Sequence, residues 1–525
     1  MRNKLSITII LLSFQLSLFS QGKGQFSGSL ESTTHYYFED NKLNLIAPQD
    51  RFASNNYLWV QYLNGPFSAG IQYEAYMPPL QGYPYQLEGN YIPFWYARFT
   101  KGIIDVTAGN FYEQFGSGLS FRSYEDRALG LNNAIGGVRL ILKPAEWMSI
   151  KTIYGKPRRF NENVDSYIRG IDGEVNIGTL LKSGASIALG TGIVSRYQQY
   201  TGPETDFPAT VNTINTRVSI DLARFALYSE YVHKSDDPDA MNLYYSGTGQ
   251  AFTFNSSYSS RGFGIFIQAR FLNDMNFQSD REAIDGYSGV NYLPSNSRQY
   301  TYLLSNIYPN STQGNEESSM QADITYSIPK KTRIGGKYGT TIRFNYAMAH
   351  GLATGQSGEK TTFSFGKTKN YGDINLELTR RWNSWLKTNF ALQGVYFNRG
   401  IIEGGPDEII ESTIFIADLQ ARFTRRVSLR VEMQHLWTDD DYGNWAAILS
   451  EASFSPNWAI YVSDMTDYEN SEQVHYFNYG LSYSTNYFRV AAGYGRNREG
   501  YICSGGVCRM VPAYKGFSVS LTTSF

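Results

Sequence analysis

The sequence predicts an all-β fold: a transmembrane, antiparallel, up-and-down β-barrel of about 24 strands, with roughly 22 to 26 as the range. Three observations predict it. The chain starts with an export signal, it alternates apolar and polar residues over many segments, and the last alternating segment ends in a C-terminal Phe. Such alternation gives a strand one apolar face and one wet face, as a barrel in a bilayer requires.

The first 20 residues have the pattern of a secretory signal peptide. Arg2 and Lys4 provide a positive start, residues 5–19 are mostly apolar, and Ser20 is a small residue at the expected cleavage point. These are the three parts of a signal that is removed on export. We therefore predict a signal peptide at residues 1–20 and a barrel at residues 21–525.

The composition is aromatic and glycine-rich but polar overall. The chain has 41 Tyr, 32 Phe and 49 Gly, and its mean hydropathy of -0.36 is too polar for a helical membrane protein. The 46 basic residues nearly balance the 47 acidic ones, so no net field attracts a polyanion. Nucleic acid is therefore not a predicted partner.

The C-terminal segment has the clearest alternation. Phe517, Val519, Leu521 and Phe525 lie on one face together with Thr523, and the other face carries only hydroxyl side chains: Ser518, Ser520, Thr522 and Ser524. A C-terminal Phe closing such a strand resembles the insertion signal of outer-membrane barrels. The predicted location is therefore the outer membrane of a Gram-negative bacterium. The predicted partners are the barrel-insertion machinery during biogenesis, and outer-membrane lipid and lipopolysaccharide afterwards.

The same period recurs upstream with charges on one face. In residues 427–434, Arg430 and Glu432 alternate with Val431 and Met433. Charges in this position cannot face a dry core, but they fit a water-filled lumen. We count eleven short turns and twelve longer polar segments, which gives about 24 strands with short periplasmic turns and long extracellular loops.

Tryptophans lie close to several of the predicted connections. Trp382 and Trp385 flank a short turn, and Trp437 and Trp445 flank an acidic loop. This placement is typical of the aromatic girdles at the two membrane interfaces. Tryptophans scattered through a core are the alternative.

Two connections are candidates for loops that fold into the lumen or form a cap: residues 110–133 and residues 273–318. The first mixes glycines with dense charge, and the second is too long for a simple hairpin. In a channel, the charged residues of the first loop are the candidate constriction: Glu113, Arg122, Glu125, Asp126 and Arg127.

The two cysteines, Cys503 and Cys508, are separated by Ser-Gly-Gly-Val in the last long loop. After export they face an oxidising compartment, which favours a small disulfide ring. Two free thiols, or half of a metal site, are the alternatives. No second pair of Cys or His residues is available to complete a tetrahedral site.

Catalytic motifs are weak throughout. A barrel lipase would need a Ser beside His435 or His475, and no serine stands in a distinctive turn. The acidic runs at residues 236–239 and 439–441 are more simply solvated loop tips, which would bind divalent cations only weakly. We therefore predict no enzyme activity, no catalytic residue, no metal site and no cofactor.

Three blocks of the sequence carry a family resemblance: residues 111–127, residues 333–340 (Arg-Ile-Gly-Gly-Lys-Tyr-Gly-Thr) and the ending from Cys503 to Phe525. On these blocks the chain resembles a family of Bacteroidota outer-membrane barrels filed as a domain of unknown function. The likeness covers nearly the whole mature chain. It implies an outer-membrane barrel and no established activity.

Two functions follow from the predicted fold. The first is a channel or porin-like pathway for solutes, restricted by inward-folded loops, because about 24 strands enclose a lumen too wide to stay open. The alternative is a non-transporting subunit of an outer-membrane assembly, secretion or surface-lipoprotein export complex. In that case other envelope proteins are its partners.

Overall fold

The computed structural model describes residues 24–200, 207–354, 360–470 and 472–525 of the chain. The signal peptide predicted at residues 1–20 lies outside the described residues. Within them, no helix is long and apolar enough to cross a membrane.

The fold is a closed antiparallel β-barrel. One sheet of 25 strands includes a strand of only two residues, Glu162–Asn163, so 24 strands form the wall. The first and last strands pair antiparallel, in register from Ser29 opposite Ser524 to Phe38 opposite Lys515, and this pairing closes the barrel. The predicted fold class and the predicted number of strands are confirmed.

The strands of the wall are numbered β1 to β24 in chain order. The first twelve are β1 (Gln25–Phe38), β2 (Phe52–Asn64), β3 (Phe67–Tyr76), β4 (Gly89–Lys101), β5 (Ile104–Phe111), β6 (Ile135–Ala145), β7 (Met148–Arg159), β8 (Tyr167–Asn176), β9 (Ser186–Tyr197), β10 (Thr210–Asp221), β11 (Phe225–Lys234) and β12 (Gly249–Ser260). The other twelve are β13 (Phe263–Asn273), β14 (Glu316–Ile328), β15 (Thr340–Thr354), β16 (Lys360–Arg381), β17 (Leu386–Asn398), β18 (Ile409–Arg422), β19 (Val427–Trp437), β20 (Trp445–Phe454), β21 (Trp458–Asp467), β22 (Asn478–Ser484), β23 (Phe488–Asn497) and β24 (Tyr514–Ser524).

Helices are few and short. The described residues include two α-helical turns, Ile177–Leu180 and Arg399–Ile402, and three 3₁₀ turns, Tyr85–Leu87, Ala240–Asn242 and Leu304–Asn306. Every one of them lies in a connection between strands of the wall.

Most connections at one end of the barrel are shorter than those at the other end, although residues 329–339 at the first end outnumber residues 355–359 at the second. The eleven short turns predicted from the sequence all join consecutive strands, at what we call the short-turn end. The opposite end, which we call the loop end, carries the longer connections. Because the number of antiparallel strands is even, β1 begins and β24 ends at the same end, which is the short-turn end.

Side chains alternate between the lumen and the outer surface, as the sequence predicts. In β24, Phe517 and Val519 point outward and are 52% and 47% exposed. In β19, Glu432 points inward and is 2% exposed, whereas its neighbour Met433 points outward and is 45% exposed. Strand register propagates this alternation, because directly paired residues face the same side of a sheet.

The tryptophans flanking residues 438–444 lie on opposite faces of the wall. Trp437 pairs with the outward Thr413, whereas Trp445 pairs with Leu436 and points inward. Trp445 is 1% exposed and packs in a lumen cluster. The aromatic-girdle interpretation is therefore wrong for Trp445. The strand register decides whether this side chain faces the lumen or the lipid, and the residues around Trp445 in the sequence do not reveal that register.

Candidate functional site: the loop plug in the lumen

Two connections at the loop end enter the lumen. They are residues 112–134, between β5 and β6, and residues 274–315, between β13 and β14. Both are slightly shorter than the segments 110–133 and 273–318 singled out from the sequence, because several of those flanking residues belong to strands. Together the two connections are called the plug below.

The plug is built around buried apolar side chains. In its first segment, Phe115, Phe121 and Leu129 have no solvent exposure. In its second segment, Phe277 and Leu304 are equally buried. Folding these large apolar side chains inward is favourable only if the wall offers apolar partners that remove them from water. The wall offers such partners on both sides of the lumen.

The first segment packs against the wall from β5 to β10. The contact is a cluster of buried apolar side chains. Its members are Phe111, Phe115, Phe121, Ile135, Ile153, Ile168, Val194, Val211, Phe277 and Val290. Wall residues and plug residues contribute together. This part of the lumen is therefore a dry core rather than a water-filled space.

Polar contacts fix the same segment to β10 and β11. The backbone N–H and the hydroxyl of Ser117 both donate to Glu230, at 2.8 and 2.5 Å. The amide of Asn215 donates to the Ser120 hydroxyl at 2.6 Å. Gly116 has a φ of +56°, and a Cβ there would lie 2.2 Å from a Glu230 carboxylate oxygen. A glycine is required because this turn is left-handed and lies against the wall.

The second segment crosses to the opposite wall. Tyr302, Leu304, Ile307 and Tyr308 pack against inward side chains of β15 to β20. The wall members of this cluster are Ala349, Tyr371, Ala391, Val395, Phe397, Ile410, Ile414, Ile416, Leu436, Trp445 and Ala447. Two hydrogen bonds fix the orientation of this segment on the wall: the Leu304 N–H donates to Gln434, and Asn389 donates to the Tyr302 hydroxyl, each at 2.8 Å.

The two segments also bind each other. The backbone N–H of Arg122 donates to the Val290 carbonyl at 2.8 Å, and that of Tyr292 donates to the Gly118 carbonyl at 2.9 Å. Asn133 donates from its amide to the Gly289 carbonyl at 2.7 Å. The plug is therefore one packed body with contacts on both sides of the lumen.

The five predicted constriction residues do not form one ring. Glu113 pairs with Lys151 of β7 at 2.9 Å and with Arg139 of β6 at 3.5 Å. Arg122 instead lies over aromatic rings of the plug, with its guanidinium carbon 3.8 Å from the centre of the Tyr292 ring. These two residues hold the plug together and fix it to β6 and β7.

The remaining three lie on the side of β1 to β3. Arg127 pairs with Glu31 of β1 at 2.7 Å and with Glu125 at 3.2 Å. Glu125 also accepts a hydrogen bond from Gln72 of β3 at 2.8 Å. Asp126 accepts the backbone N–H of Ala128 at 3.0 Å and so closes a turn within the loop. A role for any of the five in limiting solute passage stays a prediction.

A group of buried charges lies in and beneath the connection between β11 and β12, residues 235–248. The solvated loop tip predicted at residues 236–239 is therefore wrong for Asp237 and Asp239, which are fully buried. Arg196 and Lys234 are fully buried and pair with Asp237 at 2.6 and 3.5 Å. Burial raises the pKa of the nearby Asp239 to about 6; Asp237 adds to the rise, whereas Lys234 and Arg196 oppose it. Within the part of the chain that the structure describes, no group of three or more His, Cys, Asp or Glu residues could hold a metal ion.

One sector of the inner wall has small side chains instead of apolar clusters. It is formed by β22, β23 and β24, and we call it the small-residue sector. Its central inward residues are small and half-exposed, and they are Gly480, Ser482, Ala491, Gly493, Ser518 and Ser520. Nearer the short-turn end, the exposed Arg489 also faces inward, paired with Ser484 and Thr522. This feature was not among the predictions, although its signal is present in the sequence: the central inward positions of three consecutive strands are all Gly, Ser or Ala.

The last long connection, residues 498–513, covers the plug. It forms a hairpin, Gly500–Ser504 with Val507–Val511, in which Cys503 and Cys508 are joined by the predicted disulfide. The Leu293 N–H of the plug donates to the Gly505 carbonyl at 3.1 Å. The hairpin is therefore in direct contact with the plug.

Comparisons with solved structures find several similar folds. The fold is similar to the translocation pore of the P pilus usher PapC, with a TM-score of 0.46, 9% identity, 95% of this chain and 99% of that chain covered. It is similar to the siderophore receptor PirA from Pseudomonas aeruginosa, with a TM-score of 0.42, 10% identity, and coverage of 95% and 80%. A chain of the E. coli P pilus tip assembly intermediate PapC-PapD-PapK-PapG gives a TM-score of 0.50, 10% identity, and coverage of 95% and 60%.

At such low identity these similarities concern the fold alone, which is that of outer-membrane β-barrels. No curated protein matches the sequence. A family model, by contrast, matches residues 1–525, the whole chain. The chain therefore belongs to the family of unknown function designated DUF6029.

Proposed function

We propose that the protein is a solute channel of a Gram-negative outer membrane, closed in this conformation by its own plug. The outward apolar face suits a barrel in a bilayer, and the inner face is polar where the plug does not cover it with apolar contacts. On this proposal the short-turn end faces the periplasm and the loop end faces outside. The role is passive, and the protein is not an enzyme.

The observation that carries the proposal is the contrast between the small-residue sector and the rest of the wall. Apolar clusters attach the plug to β5–β10 and to β15–β20. On β22 to β24 the wall offers glycines, alanines and serine hydroxyls. The half-exposed Tyr461 of β21 lies over Gly480 and reaches Gly493, whereas Ala491 and the serines stay partly exposed, and the serine hydroxyls can bind water. A polar solute would pass along this sector and beside the plug, rather than through its centre.

The charged edge of the plug lies next to the same sector. Glu31 of β1 is directly paired with Thr522 of β24, the neighbouring wall strand. The side chains of Arg127 and Glu31 are 28% and 44% exposed, so water reaches both. Arg127, Glu31 and Glu125 are the constriction that we propose for this pathway, which narrows the set of five residues indicated by the sequence.

Single-channel recording in planar bilayers tests the proposal. A Ser520→Cys variant places a thiol on the inner wall, and Val519→Cys places one on the outward face of the same strand. We expect brief conductance events from both. A charged methanethiosulfonate reagent should block the Ser520→Cys barrel and leave the Val519→Cys barrel unchanged.

A second variant keeps the test decisive if the native barrel rarely opens. Replacing residues 114–131 by a short Gly-Ser linker removes the first segment of the plug while β5 and β6 stay intact. Steady, larger conductance is expected. Silent membranes from both the native barrel and this variant, each folded by its heat-modifiable gel mobility, would contradict the channel and leave the role of an envelope-complex subunit.

A further inference from the structure

The outer surface of the barrel carries a groove of about 710 Å³ near the loop end, on the outward side of β15 to β19. It is separate from the lumen and from the proposed channel. Strand register explains why it exists. Tyr346, Ile374, Gly394, Thr413 and Trp437 are paired in sequence across the five strands and so form one outward row.

Within that row, small residues lie between large ones. Gly394 and Thr413 separate Ile374 from Trp437, and in the next row Gly372 is paired with Tyr396. Because glycine has no side chain, the backbone of β17 forms the floor of the groove at Gly394, and at Gly372 the Lys369 side chain lies over the backbone of β16, 2.7 Å from where a Cβ would be. The large aromatic residues form its walls.

Charged groups line the end of the groove nearest the loop end. The Lys369 ammonium of β16 lies 4.1 Å from the centre of the Tyr396 ring of β17. Glu411 of β18 is the direct cross-strand partner of Tyr396, and Asp439 lines the groove beside it. Lys369 and Glu411 therefore lie on either side of Tyr396. Their strands are two strand spacings apart, which is about 10 Å.

These charges have no ion-pair partner among the residues that the structure describes. Lys369, Glu411 and Asp439 form no salt bridge there. A second outward lysine provides the comparison: Lys156 lies 4.8 Å from the centre of the Tyr167 ring, and Asp165 neutralises it at 2.9 Å. At Lys369 the same arrangement lacks its carboxylate, so a ligand anion has a place to bind.

The depth of the groove indicates the kind of ligand. Gly372 is ten residues from Trp382 at the short-turn end, about 33 Å along the strand and about 25 Å along the axis of a barrel with strands tilted by 40°. That is the height of the apolar band of an outer-membrane barrel. The groove therefore lies at the level of lipid headgroups, and outward apolar residues continue below it: Ile374, Leu376, Leu378 and Leu392.

We propose that this groove binds the headgroup of a membrane lipid that carries a phosphate and a primary amine, a phosphoethanolamine headgroup. The phosphate lies against Lys369 and the ammonium against Glu411 and Asp439. A ligand with only a negative charge would be repelled by the two carboxylates, and one with only a positive charge would be repelled by the lysine. The aromatic walls add favourable contact with the ammonium, and the acyl chains follow the apolar outward face.

Native mass spectrometry of the purified barrel with equimolar phosphatidylethanolamine, phosphatidylglycerol and phosphatidylcholine tests this site. We expect the native barrel to retain phosphatidylethanolamine about fivefold better than either of the others, which corresponds to about 1 kcal/mol. Lys369→Gln and Glu411→Gln should each abolish the preference. Lys156→Gln is the matched control and should keep it.

Each other outcome overturns the proposal. Equal retention of the three lipids by the native barrel would mean that the groove does not select a headgroup. Stronger retention of phosphatidylglycerol, lost in Lys369→Gln alone, would mean a site for anions only. Loss of the preference in Lys156→Gln as well would mean a general effect of surface lysines. Heat-modifiable gel mobility verifies that each variant is folded.

Discussion

Arg127 of the plug binds Glu31 of the first wall strand, with 2.7 Å between the guanidinium Nη1 and the carboxylate Oε2. The same guanidinium lies 4.5 Å from the centre of the Tyr57 ring of β2. On this side of the lumen the plug is therefore held by charge and by an aromatic face, whereas apolar clusters hold it elsewhere. Water-accessible ion pairs are weak and reversible, so this edge is the part of the plug most able to detach.

Removing this contact should open the channel more often. Arg127→Ala deletes a partly exposed ion pair, worth about 1 kcal/mol or less, so the open time should rise by up to about fivefold. Single-channel recording measures this. Arg51→Ala is the control, because Arg51 pairs with Glu39 at 2.7 Å in a connection away from the plug. Equal open times for Arg127→Ala and the native barrel would exclude a gating role for the pair.

The plug should protect its own residues from reagents outside the cell. Ser123 is 4% exposed, whereas the side chain of Asp165, in the connection between β7 and β8, is 97% exposed. We expect Ser123→Cys to react with a membrane-impermeant maleimide at least about tenfold more slowly than Asp165→Cys, since labelling requires local opening. Equal rates would mean that residues 112–134 lie outside the lumen in cells.

The wall could be predicted from the sequence because its signal is local. A strand with one lipid face and one wet face repeats every two residues, and each short turn adds its own marker, so strand number and sidedness follow directly. The side chains of β24, from Phe517 to Ser524, lie as that period predicts. No distant contact is needed for this prediction.

The packing of the plug could not be predicted in the same way. Glu113 is 38 residues from its partner Lys151, and Ser117 is 113 residues from Glu230. A local charge pattern does not specify such partners. One signal was nevertheless present: in β18 the alternation fails, because Ile414 and Ile416 face inward and Phe415 faces outward. A strand that is apolar on both faces is covered on both, and here the plug is the inner cover.

The connection that contains Asp239, residues 235–248, should be most stable in mild acid. Burial raises the pKa of Asp239 to about 6, compared with about 3.9 in an unfolded chain. The folded state therefore binds the proton more tightly. Its stabilisation by this group is complete below about pH 4 and is lost as the pH rises through about 6. Hydrogen exchange of residues 235–248 should show more protection at pH 5 than at pH 8.

The matched variant for this prediction is Asp239→Asn, which resembles the protonated carboxyl. The Asn242 N–H donates to Asp239 Oδ1 at 2.9 Å, and an Asn oxygen can accept the same bond. We expect protection in this variant to be independent of pH between 5 and 8, after correction for intrinsic exchange rates. A native protein with equal protection at both pH values would contradict the assignment.

The C-terminal Phe should matter for insertion through its contact with the first strand. Phe525 and Gly28 exchange two backbone hydrogen bonds, at 2.9 and 3.0 Å. A Cβ at Gly28 would lie 2.4 Å from the Phe525 ring. We expect Phe525→Asp and Gly28→Val each to lower the amount of heat-modifiable barrel in the outer-membrane fraction. Thr522→Asp is the control, because Thr522 is exposed and faces the lumen.

The disulfide should affect the last loop and leave the barrel intact. Cys503 and Cys508 are five residues apart, so the ring is small and the chain-entropy estimate is only about 2 kcal/mol. The bond lies in the hairpin Gly500–Ser504 with Val507–Val511, outside the wall. A Cys503→Ser, Cys508→Ser double variant should therefore insert, resist heat as the native barrel does, and show faster hydrogen exchange in residues 498–513.

The same variant should also loosen the upper surface of the plug. Cys508 Sγ lies 3.2 Å from the Ser311 hydroxyl, and Gly505 accepts the Leu293 N–H. Exchange in residues 290–295 should rise with that of the hairpin, while exchange in β24 stays unchanged. Free thiols at both positions in protein taken from intact cells would refute the bond. A bond between two residues of one hairpin is not expected to hold 24 strands closed. Loss of the folded barrel in the double variant would therefore refute the local role of the disulfide.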